Sequence, residues 1–222
     1  MNPIELQNAF EMEMNRRDSN LTLSTDKVFY FINEAAEDIV KDRAVDMEDT
    51  QASLEDLRTL IDYVEITPIA DTTKPNSYIA DLTNATRYFY TLDEEVDITY
   101  DTTTKRQGIT EVTSDTYRTN LDDPYSEHNL KYGEAKPLRL NGSNNVLLIS
   151  DGNYTVDAYY LRYLKLPNKV DLDAYVALPT DGLLDLPDHM HGDVIKVAVR
   201  MAIENQTDVR YQSYINEVNN IE

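Results

Sequence analysis

The stretch VLLISDGNYTVDAYYLRYLK, residues 146–165, carries the reading of the fold. Val146–Ile149 is an apolar run of strand length. Asp151-Gly152 follows, the dipeptide favoured in type I′ turns, whose twist matches that of paired strands. The sequence therefore predicts a hairpin between Val146–Ser150 and Asn153–Lys165. On the second arm Tyr154, Val156, Ala158 and Tyr160 share one parity, and Leu161 and Tyr163 take the other. That switch predicts a bulge, or a strand buried on both faces.

Outward from this stretch the period of two persists. Arg87–Leu92 and Glu95–Tyr100 read as strands, with Val96, Ile98 and Tyr100 alternating against Asp97 and Thr99. Twelve of the sixteen tyrosines fall between Tyr78 and Tyr175, and tyrosine suits strands and interfaces. Thr102-Thr103-Thr104 and Asp122-Asp123-Pro124 read as loops. Asn120–Pro137 is poor in apolar residues and is expected to project.

Beyond these limits the period changes to that of a helix. Pro3–Arg17 carries Ile4 or Leu6, Phe10 and Met14 on one face, with proline at the first helical position. Ser24-Thr25-Asp26 opens a second helix to about Val45, with Val28, Phe31, Ile32, Ala35 and Ile39 along its face. A third is expected from near Thr50 or Ser53, its face Leu54, Leu57, Leu60-Ile61 and Val64. There Ser53 and Asp56 have the spacing of a capping box. Helix resumes at Leu186-Pro187 with Met190, Val194, Val197, Ala198, Met201 and Asn205, and continues past Thr207-Asp208 through Tyr211, Tyr214, Ile215 and Val218. The fold class is α+β: helical segments 1–66 and 186–222 enclose a β-rich block, 67–185, in what amounts to one composite domain.

Composition narrows the function. A net charge of −21 repels phosphate backbones and anionic lipids. The basic pairs Arg16-Arg17 and Lys105-Arg106, and Arg162 with Lys165 and Lys169, form no stripe. No apolar run approaches the roughly 18 residues of a membrane span, and Met1–Glu5 lacks the start of a signal peptide, so the chain is expected to stay where it is made. The absence of cysteine excludes disulfides and thiolate chemistry.

Enzyme-like features are few. Asp188-His189-Met190-His191-Gly192-Asp193 holds two histidines and two aspartates, but on a helix positions 189 and 191 point about 200° apart, so the aspartates read as complements to a helix dipole. Asp171 and Asp173 lack the spacing of a calcium loop. None of the patterns G-x-x-x-x-G-K-[ST], G-x-G-x-x-G or G-x-S-x-G occurs. His128 and Glu127 have no nucleophile beside them. No catalytic residue, metal ligand or cofactor site is expected. The tyrosines of Tyr154–Tyr163 read as strand packing, or alternatively as an aromatic face for a glycan or peptide that loss of Tyr159 would abolish.

Three stretches carry a family resemblance. They are Glu5-Leu6-Gln7-Asn8-Ala9-Phe10-Glu11 with Ser24–Ala35; Tyr160-Leu161-Arg162-Tyr163-Leu164-Lys165-Leu166-Pro167-Asn168-Lys169-Val170-Asp171-Leu172; and Leu186–Ile195 with the helix after it. With these the chain resembles the neck, or ring, proteins of crAss-like bacteriophages. It is similar in plan to the head–tail adaptors of short-tailed phages, the tail tubular protein A or tail accessory factor type. The likeness spans most of the chain and is loosest over Pro75–Pro137. It implies a helical platform with an inserted antiparallel β-sandwich-like module. It also implies a homo-oligomeric ring of about twelve copies, closed by symmetry, in the virion neck and assembled in the cytoplasm of the host bacterium. The ring would dock on the portal through Val209–Ile221, with Tyr211, Tyr214, Ile215 and Val218 as apolar contacts. The β block would meet the next neck or tail ring, and DNA would pass the acidic lumen without specific binding. Another tail or head-completion protein is the alternative of the same class, a small glycan- or peptide-binding module that of another.

Overall fold

A computed structural model of the chain describes residues 1–17, 23–45, 55–178 and 182–219, with side chains in the last helix described to Asn205. The fold is mixed α+β and divides into two compact units. One comprises Met1–Leu60 with Leu166–Glu222, the other Ile61–Lys165.

The first unit is helical. Helix α1 (Pro3–Arg17) buries Leu6, Phe10 and Met14, while Ile4 stays exposed. Its start is a reciprocal capping box: Asn2 Oδ1 accepts from the Glu5 N–H and Glu5 Oε2 accepts from the Asn2 N–H, each at 2.9 Å. Helix α2 (Thr25–Val45) buries Val28, Phe29, Phe31, Ile32, Ala35, Ala36 and Val40, a wider stripe than the sequence suggested. Both helices pack on the long C-terminal helix, Asp188–Asn219. That helix contributes Met190, Val194, Ile195, Ala198, Val199 and Ala202 to the core, leaves Asn205 exposed, and runs without a break through Thr207-Asp208. No helix among the described residues is long and apolar enough to cross a membrane.

The second unit is a sandwich of two open sheets. One has the order β1 (Ile61–Ile66), β9 (Thr155–Lys165), β4 (Tyr88–Tyr100), β5 (Thr103–Gly108), all antiparallel. The other runs β2 (Ile69–Ala70), β3 (Ser77–Asp81), β8 (Asn145–Ile149), β7 (Leu138–Asn141), β6 (Thr110–Glu111), with only β6 and β7 parallel. Val96, Ile98, Val156, Tyr159, Leu161 and Tyr163 from the first sheet pack with Ala80, Val146 and Leu148 from the second. On the outer side of the second sheet Leu138, Ile149 and Val112 form a small cluster with Tyr117 of a short helix, α3 (Tyr117–Asp122). Strand β8 is thus covered on both faces, which is why Val146–Ile149 is apolar without alternation.

The structure corrects several expectations. Asp151-Gly152 does not close a hairpin: β8 and β9 lie in different sheets, and the dipeptide turns the corner between them. Gly152 has the left-handed φ of +85°. The Asp151 carboxylate accepts from the backbone N–H groups of Asn153 and Leu130, both at 2.8 Å, so its turn chemistry serves a crossover. Ile61 to Val64 is strand, not the end of a helix, because β1 pairs with β9 from Ile61↔Leu164 to Ile66↔Tyr159 and tertiary pairing outweighs the helical spacing. Tyr88–Leu92 and Glu95–Tyr100 belong to one strand, β4, kept in register by shifts around Phe89 and Leu92, while Arg87 precedes it at a left-handed φ of +51°. Thr103 and Thr104 are strand, with Asp101 taking the left-handed turn position at φ +50°.

The parity switch in β9 is a bulge, and it sits at Asp157, where Asp97↔Ala158 is followed by Ile98↔Val156. The core face is therefore Val156, Tyr159, Leu161, Tyr163, with Tyr160 on the outer face rather than in line with Val156. Asn120–Pro137 does not project as a whole. His128 is buried, and its carbonyl accepts from the buried Tyr154 hydroxyl at 3.1 Å. Leu172–Ala177, within the stretch read as strand-rich, is a helix, α4, capped by Asp171 Oδ1. The long C-terminal helix is hereafter α5.

Candidate functional sites

The Asp188–Asp193 cluster opens α5, and its two histidines face different partners. His189 Nε2 lies 2.8 Å from Asp56 Oδ1. His191 is buried; its Nε2 lies 2.9 Å from the Leu186 carbonyl and donates to it, and its Nδ1 lies 3.0 Å from the Met1 amino group. Burial first, then the nearby amino terminus, pushes its pKa down. Among the described residues no three His, Asp or Glu side chains converge to hold a metal ion. Asp171, read beside Asp173 as a possible calcium pair, spends its carboxylate on the N-terminus of α4.

The tyrosines of Tyr154–Tyr163 are packed rather than displayed. Tyr154, Tyr159 and Tyr163 lie in the sandwich core, and the Tyr160 ring is covered by Tyr63 at 6.1 Å and by the Arg106 guanidinium at 3.8 Å. Asp97 ties this outer stack together, accepting from the Tyr160 hydroxyl at 2.8 Å and from Arg106 Nε at 3.0 Å. Arg106 holds the Asp97 carboxyl below its ordinary range.

Inside the sandwich sits an ionic network that sequence reasoning missed. Arg139 on β7 extends across to Glu94 on β4, with Nε 2.9 Å from Glu94 Oε1. The Nε–H is not directed at that oxygen, so the contact is an ion pair without a hydrogen bond. Arg139 Nη1 donates to Glu111 Oε1 on β6 at 2.7 Å, and the Tyr159 hydroxyl donates to Glu94 Oε1. Side-chain exposure is 6% for Arg139 and 12% for Glu94. Burial raises the Glu94 pKa, with Tyr159 and Arg139 opposing, and burial with the Glu94 charge raises the Tyr159 phenol. The network joins the two sheets and touches no nucleophile. A cleft of about 580 Å³ opens beside it, lined by Thr83, Thr86, Arg87, Arg139, Ser143 and Asn144. Glu94 and Glu111 already neutralise Arg139 beside this cleft.

A second concavity lies on the Asn120–Pro137 segment. It is a groove of about 390 Å³, bordered by Tyr125 and Tyr132 and lined by Glu127, Lys131, Glu134 and Lys136. Tyr125 is 85% exposed and Tyr132 fully exposed. The signal for it was the Tyr132-Gly133 dipeptide, a turn pair in a polar stretch. Tyr211, Tyr214, Ile215 and Val218, the expected portal contacts, lie on α5 beyond the described side chains.

Comparison with family models and with curated proteins gave no match.

Proposed function

We propose that the chain is a structural virion protein: a head–tail connector that assembles as a ring beneath the portal of a short-tailed phage and extends the DNA conduit. One observation carries the reading. Helices from both ends of the chain form a single unit, and a sandwich leaves and re-enters it once, between Leu60 and Leu166. That is the plan of the adaptors the sequence resembles. The net charge of −21 suits a conduit wall past which DNA slides. Two arginines of the sandwich are already paired, Arg106 with Asp97 and Arg139 with Glu94 and Glu111.

In this reading the helical unit forms the ring, the end of α5 engages the portal through Tyr211, Tyr214, Ile215 and Val218, and the sandwich meets the next ring. Helix α5, at 32 residues, is about 48 Å long, enough to pack on α1 and α2 and still offer a terminal segment to a partner. The test is assembly. The purified chain is mixed with the portal of the same phage and examined by mass photometry and negative-stain microscopy. A ring-sized species, alone or on the portal, is expected. A chain that remains a monomer and ignores the portal at every salt concentration refutes the proposal.

A further inference from the structure

We propose that the groove bordered by Tyr125 and Tyr132 binds a neutral saccharide ring. The argument begins with backbone cost. Lys131 and Glu134 exchange two backbone hydrogen bonds at 3.0 Å, and the two residues between them are left-handed, Tyr132 at φ +54° and Gly133 at φ +78°. This is the turn in which Asn-Gly is preferred. A tyrosine at its first central position carries a steric penalty that asparagine largely avoids. Buried packing would offset the penalty, but the Tyr132 side chain is fully exposed. Side-chain burial among the described residues does not offset it there, and such strain concentrates where a side chain is displayed for a purpose.

The turn that carries Tyr132 is tied to its neighbours. Lys105 Nζ donates to the Gly133 carbonyl at 3.1 Å, and Gly133 sits so close to the Tyr100 hydroxyl that a Cβ would meet it at 2.4 Å. Across the groove the Tyr125 N–H is held by Asp123 Oδ1 at 2.8 Å, and Lys131 Nζ lies 5.4 Å from the centre of its ring. The backbone that presents both tyrosines is thus tied down, which lowers the ordering cost when a ligand arrives.

The lining selects the ligand. Glu127 and Glu134 balance Lys131 and Lys136, so a groove with no net charge sits in a chain of −21. That favours neither an anion nor a cation. The aliphatic lining residue is Ala135, itself buried, so the dry apolar centre of a protein hot spot is missing. A pyranose fits both requirements: its C–H face is apolar and weakly electropositive, matching the negative face of tyrosine, and its hydroxyls meet carboxylates and ammonium groups in turn. This inference stands apart from ring assembly.

The test uses the full chain on an array of neutral oligosaccharides built from hexoses, N-acetylhexosamines and deoxyhexoses, with each hit titrated by saturation-transfer NMR. Binding to at least one class is expected, weakened about tenfold or more by Tyr125→Ala and by Tyr132→Ala. Tyr30→Ala, an exposed tyrosine of α2, should leave it unchanged, and the melting temperature of Tyr132→Ala should not fall. Failure of every oligosaccharide to bind overturns the proposal, as does binding that survives the double variant. If the double variant instead blocks a protein contact while no saccharide binds, the groove is a protein-docking site and the proposal is wrong.

Discussion

Replacing Arg139 with methionine tests the role assigned to the inter-sheet network. Methionine keeps most of the side-chain length and removes the charge. Glu94 is then left buried with the Tyr159 hydroxyl. Breaking a buried ion pair from one side costs about 3–5 kcal/mol. In a unit of about 100 residues each kcal/mol lowers the melting temperature by roughly 4–8 °C, so the strand unit should melt at least about 12 °C lower at pH 7.

The pH dependence makes the argument specific. The folded pKa of Glu94 lies above its unfolded value of 4.5. The stability linked to this group is therefore fully present below 4.5 and is lost as pH rises through the folded pKa. Arg139 holds that folded pKa down, so its removal enlarges the loss above pH 4.5 and adds little below it. Arg139→Met should then cost about 1 kcal/mol at pH 4, the packing difference alone. The double variant Arg139→Met with Glu94→Leu should return to within about 2 kcal/mol of the parent at pH 7. Urea titrations followed by tyrosine near-ultraviolet circular dichroism, at both pH values, measure all three chains. A loss at pH 7 no greater than at pH 4 would refute the network as an ionic link between the sheets.

Three further outcomes are expected. Asn33→Ala removes the two hydrogen bonds, 2.7 and 3.2 Å, that clamp the Val170 backbone to α2, and should destabilise the helical unit by about 2 kcal/mol in a urea titration. Asp97→Asn should lower stability at neutral pH and lose that effect in acid. The folded pKa of Asp97 lies below 3.8, so its contribution is present above 3.8 and lost as pH falls through the folded value; equal destabilisation at pH 2 and pH 7 would exclude the assignment. Tyr214→Ala with Ile215→Ala should weaken portal association measured by co-sedimentation while leaving the melting temperature within about 2 °C of the parent, and unchanged association would remove these residues from the contact.

The helices were legible because one face of each is buried in a single unit: Leu6, Phe10 and Met14 on α1, and Val28, Ile32 and Ala35 on α2, recur at the spacing that burial demands. The strand unit was legible in kind and not in pairing. Asp151-Gly152 gives the same local turn signal whether the next strand joins the same sheet or the opposite one, and the choice lies with distant strands, β3 and β7 beside β8 and β1 and β4 beside β9. Ile61 and Val64 fit a helical face as well as a strand, and only pairing with β9 decides between them. The bulge at Asp157 was visible as a change of parity, but its position follows from the register with β4. Of the candidate sites, the Asp188–Asp193 geometry followed from helical angles alone. Glu94 and Arg139 are 45 positions apart and nothing local marks them as partners. Tyr132 was hidden in a segment whose polarity resembled a simple loop.

The first and last strands of the sandwich lie side by side, with Ile61 opposite Leu164. In an antiparallel ladder such partners are about 5 Å apart, so the excursion from residue 61 to 165 departs and returns at nearly one point. Bringing the ends of an unstructured loop that long together costs on the order of 4 kcal/mol in chain entropy. A sandwich that folds first closes the loop before α1, α2 and α5 meet, and the helical unit then assembles as though its chain were nearly continuous. The same geometry makes the excursion exchangeable. Another module whose entry and exit strands are neighbours would fit the same two attachment points without the helices having to move.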